Sequence, residues 1–399
     1  MSQIRSSYTD SINFYGGHSP LDLAQQFGTP LYVYNETVLR QRCRELKALS
    51  SLPGFGVNYS VKANTNPVLL RIIREEGLVV DAMSPGELYM DQLAGFTADE
   101  ILYISNNISE DELRNAVRHG VLISVDSLSQ VETLGRVNPG GKVMVRFNPG
   151  IGAGHHAKVV TAGKETKFGV SPELLDDLFA ILKKYDLHLA ERLPADVLEK
   201  LEVIDFGGGF GIPYHKYEEQ PRLDMDDLGS RLHGLISGWA EKTGYTGRFL
   251  VEPGRYVVAE CGVLLGSVNA TKTNGDRRYA GTDLGFNVLV RPAMYDSFHD
   301  VEVYRQGAQG PDTETVEQSV VGNICESGDI LAKNRQLPLL HEGDVLGVLD
   351  AGAYGFVMSS SYNQRCRAAE ILIQADGSVR LIRRRETLED LAACYEGLL

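Results

Sequence analysis

Residues 56–83, GVNYSVKANTNPVLLRIIREEGLVVDAM, decide the fold. The opening GVNYSV (56–61) is a short β-branched run that ends in a polar turn. Residues 67–76 then carry apolar side chains at helical spacing, and LVVDAM (78–83) is a second strand pattern. Strand, helix, strand in so short a span is the signature of a parallel βαβ unit. The same alternation runs outward from about 55 to 252. It adds candidate strands ILYIS (101–105), VLISV (121–125), KVMVRF (142–147), LEVIDF (201–206) and FLVE (249–252), with helical patterns at 110–118 and 172–184 between them. The expected fold class is α/β, a parallel (β/α)8-type barrel whose loops gather at the strand C-termini. Only seven full strands are counted. Between 147 and 201 two helical patterns, 172–184 and 190–200, are separated by the stub Leu187-His188-Leu189, so one strand is expected to be missing.

After about residue 261 the pattern changes to Val-, Ile- and Tyr-rich runs broken by turns such as Asn274-Gly275-Asp276 and Ala375-Asp376-Gly377, which predicts a C-terminal antiparallel β domain. Three segments follow: 1–35, with a strand-like LYVY at 31–34, packing with the β domain; the barrel, 36–260; and the β domain, 261–399. A chain of 399 residues is long enough for this arrangement. The 43% hydrophobic and 23% charged fractions exclude disordered and fibrous classes, and the net charge of −14 opposes nucleic-acid or anionic-membrane partners. Five scattered cysteines without a CxxC pair argue against disulfides and zinc. The first ten residues are polar, and the longest apolar stretch, 256–270, is interrupted by Glu260. A soluble cytoplasmic protein is therefore expected, with small molecules or another copy of itself as partners.

Several strand ends carry chemistry. Lys62, in Val61-Lys62-Ala63-Asn64, stands at the rim where barrel active sites form, and its amine suits a Schiff base with an aldehyde cofactor. Taken alone, a strand-end lysine is more often a solvated surface group. Gly207-Gly208-Gly209 offers backbone N–H groups to a phosphate, while Pro213 argues against a dinucleotide fingerprint. Glu252-Pro253-Gly254-Arg255 sets a carboxylate and a guanidinium on one turn, the first able to hold a pyridine nitrogen protonated and the second fitted to an anion. In the β domain, Cys325-Glu326 offers a proton donor beside an acid, Asp350 to Gly355 forms a small-residue loop containing Tyr354, and Arg291 with Tyr295 suits a carboxylate.

In order along the chain, the motifs YSVKAN (59–64), DAMSPGE (81–87), RFNPG (146–150), KFG (167–169), GGGFGIP (207–213), EPGR (252–255), RPAMY (291–295), CESGD (325–329), DAGAYG (350–355) and YN (362–363) resemble the pyridoxal-phosphate-dependent decarboxylases of the alanine-racemase-like barrel class. Within that class the diaminopimelate decarboxylases are the most similar branch. The resemblance implies pyridoxal 5'-phosphate held by Lys62, Asp81, Gly208, Gly209, Glu252, Gly254, Arg255 and Tyr354. It implies Lys62 and Cys325 as catalytic residues, and Arg255, Arg291, Tyr295, Glu326 and Tyr354 as substrate-binding residues. It further implies a homodimer with shared active sites, and decarboxylation of meso-diaminopimelate to L-lysine. Related substrates such as ornithine, D-lysine, carboxynorspermidine or a carrier-bound amino acid stay open at this point, as does a non-catalytic cofactor-binding relative. One motif is lacking. Family members follow the strand matching 187–189 with a His-Ile-Gly-Ser-like segment that stacks on the cofactor and binds its phosphate, and neither His155 nor His156 takes that place here. Either the sequence as written omits a stretch or the barrel is degenerate, and the intact motifs elsewhere favour omission.

Overall fold

A computed structural model describes residues 7–148, 167–189, 202–218, 220–306 and 315–398. Pro149 and Gly150, His155 and His156, and the helical pattern at 190–200 lie outside the described residues. The chain divides into two compact units. One comprises Cys43–Phe210 and Asp224–Gly254, the other Met1–Arg42, Gly211–Leu223 and Arg255–Leu399.

The first unit holds a sheet of eight parallel strands: β1 (Phe55–Tyr59), β2 (Val79–Ala82), β3 (Ile101–Ile104), β4 (Leu122–Val125), β5 (Lys142–Val145), β6 (His188–Leu189), β7 (Val203–Asp205) and β8 (Arg248–Val251). Their order is β6-β5-β4-β3-β2-β1-β8-β7, so the last strands return to pair with the first, with Val57 opposite Val251. The expected loss of a whole strand is thereby corrected. The stub at 187–189 does pair, His188 with Lys142 and Leu189 with Val143. Among the described residues β6 covers His188 and Leu189. Among the described residues β6 and β7 are the two ends of the sheet.

Side-chain caps set where the intervening helices begin. Asn66, Ser84, Ser109 and Ser127 each accept a backbone N–H of the first turn of the helices Pro67–Glu75, Pro85–Ala94, Glu110–His119 and Leu128–Val137. Each such cap stabilises its helix by about 1 kcal/mol and fixes how many residues are left to build the loop at the strand's C-terminal end. The helix Pro67–Glu75 buries Leu69, Leu70, Ile72 and Ile73. Leu102, Ile104, Met144, Val203 and Leu250, one or two from each of four strands, cluster with Met83 and Leu122. These apolar side chains fill the sheet's inner face and confine polar chemistry to its C-terminal rim.

The second unit is a nine-stranded sheet centred on Leu31–Asn35. That strand pairs antiparallel with Gly262–Asn274 and parallel with Ala369–Ile373. Arg277–Thr282 also runs parallel to Thr315–Val321, so the sheet is mostly antiparallel rather than wholly so. Both predicted turns form, with Gly275 at φ +58° and Gly377 at φ +84°, values that glycine adopts without the Cβ penalty. The core joins Phe14 and Tyr15 to Leu31, Val33, Val263, Leu265, Ile371 and Ile373.

A buried ionic hub stabilises this unit. Glu260 meets Arg42 at 3.0 Å, Lys216 at 2.7 Å and Arg222 at 2.7 Å, and Lys216 reaches on to Asp350 at 3.2 Å. Burial pushes the Glu260 carboxyl up, but the hydrogen-bonded Arg222 and the charges of Lys216 and Arg42 outweigh it and hold the group at about 2. A carboxylate depressed in this way contributes stability above its ordinary range and loses it as pH falls toward 2. Glu260→Gln is expected to destabilise the protein by roughly 3–5 kcal/mol, because it leaves buried cations without a counter-charge. Urea unfolding at neutral pH checks the value, and the gap between variant and parent should narrow as the solution is acidified.

Candidate active site

In the barrel unit, β1 ends at Tyr59 and the chain turns through Val61–Ala63, a single 3-10 turn with Val61 and Ala63 buried and Lys62 exposed between them. Asp81, at the end of β2, clamps this turn. Its Oδ2 accepts from Ser60 Oγ at 2.7 Å and its Oδ1 from the Val61 N–H at 2.9 Å. Burial raises the Asp81 carboxyl and the neighbouring Lys62 ammonium opposes that rise. Asp81 thus holds the backbone that presents Lys62 and also places a negative charge near it.

The ends of β7 and β8 adjoin in the same unit. The Gly207 N–H donates to Asp205 Oδ1 at 2.8 Å, and the Glu252 N–H donates to the Gly207 carbonyl at 2.8 Å. Gly207 and Gly209 lie at φ +74° and +105°. A Cβ on Gly208 would stand 2.4 Å from the Glu252 carbonyl oxygen. The glycine run therefore exists because two strand ends and an open backbone surface must coexist in one loop. Glu252 Oε1 is buried and, among the described residues, has no hydrogen-bond partner. Burial, reinforced by the nearby Asp205 and Asp81, holds the Glu252 carboxyl well above the usual range. A buried acid with an idle oxygen is suited to exchange a proton with a nitrogen base set against it. Gly208→Ala is expected to weaken binding of pyridoxal phosphate at least about tenfold by forcing the backbone under Glu252 to move. Spectrophotometric titration of the purified variant with the cofactor tests this.

The β unit carries two further groups of predicted residues. Arg255 opens the helix Arg255–Val258, and its Nη1 donates to Tyr214 Oη at 2.5 Å. Its guanidinium also lies 5.1 Å from the centre of the Tyr354 ring. Arg291, 3% exposed, sits 5.0 Å over the other neighbour of Arg255, the Tyr214 ring. Tyr295 ends the same short helix, Arg291–Tyr295. Arg255, Arg291 and Tyr354 are thus brought together around Tyr214, a residue that sequence reasoning passed over because nothing distinguishes it within GIPY.

Cys325 and Glu326 stand on a separate exposed loop. Asn363 Oδ1 accepts from the Cys325 N–H at 2.8 Å, and Tyr362 donates to Glu326 Oε1 at 2.6 Å. Asp329 braces the loop from behind, its two oxygens accepting from the N–H groups of Ile324 and Phe286 at 2.7 and 2.6 Å. Asn363 and Asp329 fix the loop through its backbone N–H groups, and Cys325 and Glu326 remain exposed on it. All five cysteines are unbridged.

The class is that of the pyridoxal-dependent decarboxylases: residues 37–191 match the family described as pyridoxal-dependent decarboxylase, pyridoxal binding domain. Diaminopimelate decarboxylase of Methanothermobacter thermautotrophicus is 43% identical over 94% of both chains. The protein of that name from Escherichia coli K12 is 33% identical over 94% of this chain and 95% of its own. The crystal structure of diaminopimelate decarboxylase from Helicobacter pylori complexed with L-lysine superposes with a TM-score of 0.82, at 27% identity, over 95% of this chain and 99% of that one. This chain belongs to the diaminopimelate decarboxylase family. The two sequence alignments run over 408 and 409 positions, more than the 399 residues here. These relatives therefore have internal residues without a counterpart in this chain, and the family match ends two residues beyond β6.

Proposed function

We infer that this chain decarboxylates meso-diaminopimelate to L-lysine with pyridoxal 5'-phosphate, the last step in making that amino acid. The observation that carries the reading is the pairing, in one barrel rim, of an exposed lysine on a clamped turn with a glutamate whose buried Oε1 has no partner among the described residues. These residues fit the cofactor: an amine for its aldehyde, an acid for its pyridine nitrogen and a glycine cradle with no side chains in its way. When bound, pyridoxal phosphate supplies an electron-accepting ring that takes up the pair released as CO2 leaves. Lys62 would hold the cofactor through its amine. Asp81 keeps the Lys62 turn in position, and Glu252 holds a proton at its buried carboxyl. Gly208, Gly209 and Gly254 leave the backbone open to phosphate, and Arg255 and Tyr354 offer a guanidinium and a phenol to an anionic group.

Cys325 is the proton donor in this reading: the C–C bond to the carboxylate breaks, and Cα takes the proton of the Cys325 thiol in its place. Arg291 and Tyr295 bind the carboxylate that is retained, and Glu326 pairs with the ammonium beside it. The working form is a cytoplasmic homodimer in which Cys325 and Glu326 of one subunit serve the site of the other. Their display on an exposed, backbone-braced loop supports that arrangement. Incubation with meso-diaminopimelate and pyridoxal phosphate should release CO2 and form lysine. No lysine, with turnover of another α-amino acid instead, would overturn the substrate assignment.

A further inference from the structure

We propose that His299 is a positioning residue: fixed as one neutral tautomer, it aims the Arg291 guanidinium at the substrate's retained carboxylate and so makes the site prefer an amino-acid head group to a bare amine. The inference rests on the functional reading above for the identity of the ligand, but its geometry is independent of it.

His299 is 2% exposed. Its Nδ1 lies 2.7 Å from the Leu349 carbonyl oxygen and its Nε2 lies 3.0 Å from Arg291 Nη1. A carbonyl oxygen only accepts and a guanidinium only donates, so both contacts are satisfied by a single species, the neutral ring with its hydrogen on Nδ1 and a lone pair on Nε2. The other tautomer would set two lone pairs against Leu349, and the imidazolium would set N–H against N–H at Arg291. Burial and the adjacent Arg291 charge push the ring down to about 3, so it stays neutral throughout the physiological range.

The ring is itself held. Arg335 donates to the His299 carbonyl at 2.9 Å and to Asp300 Oδ1 at 3.1 Å, and Tyr214 meets the imidazole edge to face at 5.4 Å. Arg291 also donates from Nη2 to Ser297 Oγ at 3.3 Å. Neutral groups thus orient a guanidinium that, among the described residues, has no carboxylate paired with it. Arg255, on the far side of Tyr214, has none there either. A buried guanidinium oriented by neutral groups keeps its full charge available, which is the condition for a strong bidentate contact with an incoming carboxylate. Had an aspartate stood at 299, it would orient the guanidinium equally well but neutralise it, and the pull on a ligand carboxylate would be lost.

L-lysine and cadaverine separate the carboxylate's share of binding from everything else, since they differ by that one group. In the holoenzyme, His299→Leu is expected to weaken inhibition by L-lysine about ten- to hundredfold, leave cadaverine within about twofold, and raise KM for diaminopimelate far more than it lowers kcat. Combined with Arg291→Met it should add little, because the two residues act as a unit. His299→Gln, which keeps an N–H and a carbonyl, should recover part of the lysine preference, and it carries the test if the leucine variant does not fold. An unchanged lysine-to-cadaverine ratio, or equal weakening of both, overturns the proposal. A wild-type protein that binds lysine over cadaverine in calorimetry yet releases no CO2 from diaminopimelate would instead overturn the functional reading alone.

Discussion

Alanine in place of Lys62 is expected to cut decarboxylation by at least about a thousandfold, because the amine proposed to hold the cofactor is gone. The side chain is exposed on its turn, whereas Val61 and Ala63 on either side are buried. Removing it takes away almost no packing, so thermal unfolding should be unchanged. The visible absorbance of protein incubated with pyridoxal phosphate should disappear with the activity. A variant that keeps activity within tenfold of the parent would exclude Lys62 from this role. Asp81→Asn offers a graded companion, since it preserves the shape of the clamp but removes the negative charge beside the lysine.

Cys325→Ala should lower kcat by roughly a hundred- to ten-thousandfold, the range for loss of a positioned proton donor, with KM changed much less. Its backbone is tied through Asn363 and the loop through Asp329, so the variant should keep the loop's shape. Equal amounts of Lys62→Ala and Cys325→Ala protein, allowed to exchange subunits, should then recover about a quarter of wild-type activity if each site draws Lys62 from one subunit and Cys325 from the other, as statistical pairing in a two-fold dimer requires. No recovery after verified exchange would mean that both residues serve the site of their own chain.

The barrel was legible because buried parallel strands are written as short β-branched runs and the helices between them carry their own start signals. The helical pattern at 110–118 corresponds to the helix Glu110–His119, which Ser109 caps. Lys62, Glu252 and the glycine run were legible for the same reason, since each follows directly from a strand. The strand at His188–Leu189 was not, because the stub Leu187-His188-Leu189 is too short to carry a period, and its pairing with Lys142 and Val143 is what marks it as a strand. Nor was His299 legible. It lies eight residues beyond Arg291 in a segment without regular spacing, and its partner on the other ring nitrogen is a backbone carbonyl fifty residues away, a contact that leaves no mark on the identity of Leu349. Tyr214 was hidden because residues 211–223 belong to the β unit although the strands on either side of them belong to the barrel.

That last assignment bears on how such a protein can arise and be rearranged. The chain passes between its two units four times, after Arg42, Phe210, Leu223 and Gly254, and the last crossing falls between Glu252 and Arg255. Neither unit is a contiguous stretch of the gene. A single recombination breakpoint could not graft this β unit onto another barrel, and a truncation near residue 260 would strip Leu31–Asn35 of both its strand partners, Gly262–Asn274 and Ala369–Ile373. The two units must therefore be inherited, expressed and varied together, so changes in substrate preference are expected to accumulate as point substitutions around Tyr214 and Arg291 and not by exchange of modules.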